Sequence, residues 1–254
     1  PPAVAERVES IDVGPALFAP GLPLRTLEPR TRLYALLGVG ARTPNQALDV
    51  VRLDLGAEWS FLRQRLSFDL NLPLLYFIEF PSASGEPRSG PALGDISVGA
   101  RAMAVDALAG RLRFGALLRA QLPTGTYERG VLPLRPVVID PALALSARVS
   151  RLGFLTTQGL SASLNLPQSE LRYSMGYAVQ LQLARVSLLA QFDAGLALLG
   201  TTLHAFAVGG GVRLRLDALG HFRLLAGTRV ALGAPSEATY GRYSVQLGFE
   251  WVRF

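Results

Sequence analysis

The chain has no cysteine, no lysine and only two histidines in 254 residues. Without cysteine there is no disulfide, no thiol nucleophile and no thiolate metal ligand. With His204 and His221 alone, no convincing metal site can be built; loop carboxylates by themselves would hold Ca²⁺ only weakly. No cofactor is expected. Because lysine is missing, all 25 basic residues are arginine, which a GC-rich genome explains simply. Charge is sparse at 17 %, although half the chain is apolar and mean hydropathy is +0.30, high for a soluble protein.

Other features are missing too. No basic run is interleaved with aromatics, so no nucleic-acid partner is expected. The N-terminus, Pro1-Pro2-Ala-Val-Ala-Glu-Arg7, lacks a basic region followed by an apolar core, so the numbering is expected to start within a mature chain. The longest uncharged run, Ala194 to Val212, holds Thr201, Thr202, His204 and three consecutive glycines. That composition makes a poor membrane helix, and two strands with a loop explain it better. A lipase-type barrel needs a serine beside a histidine that takes its proton. Neither histidine lies in a His-x-Ser strand pattern, so no enzymatic activity is expected.

What the chain does have is alternation. In the final segment Tyr243, Val245, Leu247, Phe249 and Trp251 share one strand face, and Ser244, Gln246, Gly248 and Glu250 the other. In Val50–Phe61, Val51, Leu53, Leu55, Ala57, Trp59 and Phe61 oppose Arg52, Asp54, Gly56, Glu58 and Ser60. A helix would scatter Arg52, Asp54 and Glu58 over several faces. Further strands are expected at Arg32–Ala41, Gln64–Leu74, Asp95–Val105, Arg111–Leu122, Pro141–Val149 and Phe154–Leu166. Leu171–Leu183, Arg185–Leu196, Ala205–Leu216 and Phe222–Leu232 complete a set of about twelve, ten or fourteen remaining open.

Short connections, at residues 62–63, 107–110, 151–153, 184–185 and 218–220, alternate with longer ones at 42–48, 77–93, 123–139, 200–203 and 233–241. One short turn, at 167–169, falls on the long-loop side. Bacterial outer-membrane barrels have short periplasmic turns, longer outside loops and even strand numbers. The expected fold is therefore an all-β, transmembrane, antiparallel up-and-down β-barrel in the bacterial outer membrane. The proline-rich residues 1–29 are read as a periplasmic or lumenal arm, and residues 30–254 as the barrel. Aromatics agree with two interfacial girdles. Trp59, Phe61, Phe68, Phe114, Phe154, Phe222, Phe249 and Trp251 fall at one end. Tyr76, Tyr173, Tyr177, Phe206 and Tyr243 fall at the other, and Phe192 breaks the pattern.

The stretch Gly94-Asp-Ile-Ser-Val-Gly-Ala-Arg101, followed by Leu117-Leu-Arg-Ala-Gln-Leu-Pro-Thr-Gly125, resembles a motif pair in a broad group of Gram-negative barrels. That group includes predicted transporter barrels for aromatic compounds and the N-terminal barrels of OmpA-type envelope proteins. The resemblance implies an outer-membrane barrel fold and says little about function. The last strand is also similar to the signal read by barrel-assembly machinery, except that Phe254 is one residue out of phase with Trp251. A shifted terminus, or a chain that continues into another domain, would account for this.

The polar face would line the lumen. Candidates are Arg52, Asp54, Glu58, Arg65, Asp69, Arg101, Arg111, Arg113, Arg119, Arg172, Arg213, Arg215, Arg223, Arg229 and Glu250. Two functions follow. One is a narrow channel or transport-type pore for small solutes with an Arg-rich lumen that favours anions. The other is a structural barrel docking a larger envelope, adhesion or motility complex. Expected partners are outer-membrane lipid, lipopolysaccharide, the barrel-assembly machinery and other envelope proteins. Inward glycines such as Gly56 and Gly115 are read as curvature devices or as space for a ligand or the arm. Gly56→Ser is expected to be mild.

Overall fold

The computed structural model describes residues 27–41, 50–81, 87–126, 137–164, 169–199, 204–233, 236 and 242–253. The strands are β1 (Thr31–Ala41), β2 (Val50–Phe61), β3 (Leu66–Pro81), β4 (Pro87–Leu93), β5 (Ser97–Ala107), β6 (Leu112–Gln121) and β7 (Val137–Val149). Then come β8 (Leu152–Leu164), β9 (Glu170–Leu183), β10 (Val186–Leu199), β11 (Ala205–Arg215), β12 (Phe222–Ala231) and β13 (Tyr243–Arg253). All pairings are antiparallel, and β1 closes on β13 from Thr31↔Arg253 to Ala41↔Tyr243. β3 pairs with β5 over Leu66–Asn71 and with β4 from Leu74 onward. β4 and β5 thus form one broken stave, and the sheet is a closed twelve-strand barrel.

Closure of β1 on β13 lets the ladders satisfy the backbone within the wall, as a lipid environment demands, and among the described residues only β4 has a ladder partner, β3, on one side alone. Side chains alternate along each stave. On β6, Arg113, Gly115, Leu117 and Arg119 are buried, while Phe114, Ala116 and Leu118 are exposed. The exposed face is predominantly apolar: Leu33, Leu55, Leu70, Leu118, Leu143, Val179, Leu188, Val212, Leu224 and Leu247 all point out. In water such a continuous apolar belt would drive aggregation; in a bilayer it is the required surface.

The break in the fourth stave joins the two motif stretches. The Gly94 N–H donates to Pro73 O at 2.7 Å, and the Leu122 N–H donates to Ile96 O at 2.8 Å. Thr124 Oγ1 accepts the Ile96 N–H at 2.9 Å, and Thr126 Oγ1 accepts the Leu93 N–H at 2.8 Å. The Asp95 carboxylate accepts the Gly125 N–H at 2.9 Å. Two hydroxyls and a carboxylate thus replace ladder partners that the kink removes.

Two expectations need correction. The segment 77–93 is not mainly loop: β3 runs to Pro81 and returns as β4. Pro81, Pro87 and Pro91 hid this, since proline suppresses a strand reading, yet it is tolerated where no ladder N–H is needed. Phe192 does not break the aromatic pattern. It stacks between Tyr177 (centroids 6.5 Å) and Phe206 (6.3 Å), forming one ladder across β9, β10 and β11. At the opposite end Phe61 meets Phe68 at 5.9 Å and Phe222 meets Phe249 at 5.8 Å.

Candidate functional site

The interior is organised around one carboxylate. Glu58, on β2 and fully buried, accepts from Arg32 Nε at 2.7 Å, Ser67 Oγ at 2.6 Å and the Arg30 backbone N–H at 3.2 Å. Arg101 Nη1 lies 3.0 Å from it, and Arg101 Nη2 lies 3.6 Å from Asp69. Arg32 also donates to Glu250 at 3.0 Å, and Arg223 approaches Glu250 at 3.8 Å. The staves β12, β13, β1, β2, β3 and β5 are therefore tied by one ion-pair chain. Charges this deep must be paired, because an unmatched one carries a desolvation penalty of several kcal/mol.

The rest of the lumen holds smaller groups. Arg52 forks onto Asp54, which also accepts from Asn71 at 2.7 Å. Arg113 meets Asp106 at 3.3 Å and Glu28 at 3.5 Å. Arg119 stands opposite Asp140 in register and donates to Ser97 at 3.3 Å. Arg229 pairs with Asp193 at 3.0 Å, and Arg172 with Glu170 at 3.2 Å. Arg213 is buried on β11, and Arg215 is half-buried at its end. Arg65 and Arg111 stand exposed, at the short turns.

Sequence reasoning missed Arg32, Glu28, Arg30 and Asp140. On β1 the inward residues after Arg32 are Tyr34, Leu36, Gly38 and Gly40, so no polar face marked the phase. Glu28 and Arg30 lie in aperiodic, proline-rich sequence. Among the described residues the buried charges are eight arginines and seven carboxylates. The buried interior is thus close to self-neutralised.

Residues 27–30 enter the lumen. Leu27 is 1 % exposed and packs with Leu117, Ala142, Ala144, Leu155 and Ala178 on β6, β7, β8 and β9. The Arg30 N–H meanwhile is bonded to Glu58 on β2. β7 and β8 lie about half-way round the barrel from β1 and β2, so the backbone crosses the interior. Three extended residues reach about 10 Å. Gly115 makes room: a Cβ there would lie 2.8 Å from the Leu27 side chain. Glu28 is held by Arg30 at 2.9 Å and by Arg113. Residues 1–26 fall outside the described residues, and with them most of the expected arm.

The two imidazoles sit at opposite ends. His204 Nδ1 accepts the Ala197 N–H at 3.1 Å, and His221 Nδ1 lies 3.5 Å from Asp217.

No family model and no curated protein sequence matches the chain. Solved structures do. An outer membrane channel from Pseudomonas putida F1 is 13 % identical, with TM-score 0.62 over 95 % of this chain and 100 % of that one. The NanC porin gives 0.58 at 8 % identity over 87 % and 98 %, and the KdgM porin 0.57 at 7 % over 88 % and 99 %. Outer membrane phospholipase A of Escherichia coli gives 0.51 at 9 % over 86 % and 89 %. Channels and an enzyme thus share this architecture, and the chain has the fold of the outer-membrane β-barrels.

Proposed function

We propose that the protein is a narrow pore of the bacterial outer membrane that passes small anionic solutes and rests closed by its own segment Leu27–Arg30. The observation that carries this reading is the crossing of the lumen from Glu58 to the Leu117–Ala178 patch. A twelve-strand interior holds little beyond its own side chains, so one backbone crossing suffices to block it. The crossing is held by a leucine contact, the Glu28–Arg113 ion pair and the Arg30 N–H bond to Glu58, which local opening can release. Glu28 then leaves Arg113, which keeps Asp106 as its carboxylate partner. The wall retains Arg52, Arg119, Arg213 and Arg229; Asp54 and Asp193 offset two of them and Asp140 stands opposite a third, and what remains of their field raises local anion concentration. The near balance of buried charge makes the preference modest.

Two results test this. Wild-type protein in planar bilayers should show low, flickering conductance. A chain beginning at Thr31, or Leu27→Asp, should show steady openings with anion preference. Steady nanosiemens conductance from the wild type would exclude a closed resting state. Silence of both variants would favour the docking role. For orientation, a tag at Ser84, which lies outside the described residues, should be labelled on intact cells, because all the short turns but the one at 167–169 lie on the other side. Labelling only after permeabilisation would reverse the topology.

A further inference from the structure

We propose that the ring of short turns is a collar that binds the phosphate headgroups of anionic phospholipids in the adjoining leaflet. This rests on the membrane-barrel reading above. Six points occur around the circumference at every second stave: the turns β2–β3, β5–β6, β7–β8, β9–β10 and β11–β12, and the end of β13 beside β1. Each carries an arginine: Arg63 with Arg65, Arg111, Arg151, Arg185, Arg215 and Arg253. All but the half-buried Arg215 are exposed.

The same turns carry apolar side chains out of any core. Leu62, Leu108, Val149 and Leu219 are 68 %, 71 %, 69 % and 73 % exposed, more than any other large hydrophobic among the described residues. Leu62 and Leu108 hold left-handed backbone, φ 47° and 52°, which a leucine adopts at a cost. Water would reward neither the leucines nor the conformation. A headgroup layer accommodates both residue types: the leucine enters the acyl boundary and the arginine reaches a phosphate, which its fork matches bidentately. The aromatic girdle of Trp59, Phe61, Phe68, Phe114 and Phe222 lies just above on the same staves, at the depth where rings settle.

Local acids do not cancel the collar. Among the described residues of this rim, Asp106 is engaged by Arg113 at 3.3 Å. Asp217 accepts the Phe222 N–H at 2.8 Å, which holds its carboxyl below the usual range and keeps it ionised beside His221, so it offsets only one of the seven arginines. A protein partner would touch one arc, whereas positive charge and exposed leucine recur all round. Only a lipid annulus has that symmetry.

The test uses the full chain in nanodiscs of equimolar phosphatidylethanolamine and phosphatidylglycerol, with retained lipids read by native mass spectrometry. Wild type should retain phosphatidylglycerol in roughly fivefold preference, since each surface arginine favours an anionic lipid by about that factor. The combined variant Arg63→Gln, Arg111→Gln, Arg151→Gln and Arg185→Gln should fall to near parity, and the four-lysine counterpart should recover most of the preference. Equal retention by wild type and the glutamine variant overturns the collar but leaves the barrel standing. Failure of the wild type to insert into any bilayer overturns both.

Discussion

Glu58→Ala should destabilise the barrel by about 3–5 kcal/mol, the range for removing one partner from a buried ion-pair cluster. Glu58 is fully buried and takes Arg32, Arg101, Ser67 and the Arg30 N–H. Its loss removes one of the two carboxylates that Arg32 and Arg101 each reach in the interior, leaving Glu250 to the first and Asp69 to the second. Glu58→Gln keeps an acceptor for Ser67 and one arginine, so it should cost less. The measurement is the urea midpoint in detergent micelles, followed by the heat-dependent gel shift of folded barrel. The alanine variant should also weaken the hold on Arg30 and open the pore more often. An unchanged midpoint would mean that bulk water solvates these arginines and that the lumen is open at rest.

Leu55→Arg has the other large expected effect. Leu55 is exposed at the middle of β2, paired with Ala35 and Leu72. Arginine on the lipid face near the midplane costs roughly 2–4 kcal/mol. Folding yield into vesicles should drop accordingly, while Leu55→Phe folds normally. Equal yields would place this sheet out of lipid. The neighbouring Gly56→Ser is not the mild control that sequence alone suggests. A Cβ at Gly56 would lie 1.9 Å from the Tyr34 ring, and Tyr34 donates to Asn71 at 3.4 Å. Serine must displace that ring, at about 1–3 kcal/mol. Val51→Ala, on the outward face, is the better control.

The barrel was legible because its signal is local. A strand between lipid and lumen must alternate, and Val50–Phe61 or Tyr243–Trp251 declares this within a dozen residues. The short turns and the parity of the strand count needed nothing further. Legibility failed where the pattern is interrupted. β4 is proline-rich, and the β1 interior is apolar after Arg32.

The sequence by itself therefore determined the all-β fold, the outward belt and the polar alternation of strands such as Val50–Phe61, whereas it left out Arg32 and Asp140 and turned Arg65 and Arg111 inward, which stand exposed at the short turns. Only the tertiary structure decided which of those groups meet. Register placed Glu58 of β2 within reach of Arg101, and closure of β1 on β13 brought Glu250 to Arg32, 218 residues away. The crossing of the lumen by Leu27–Arg30 has no periodic signature at all. The physical reason is that strand phase is fixed by adjacent residues, whereas neutralising a buried charge and filling a lumen depend on whichever staves the closed wall brings face to face.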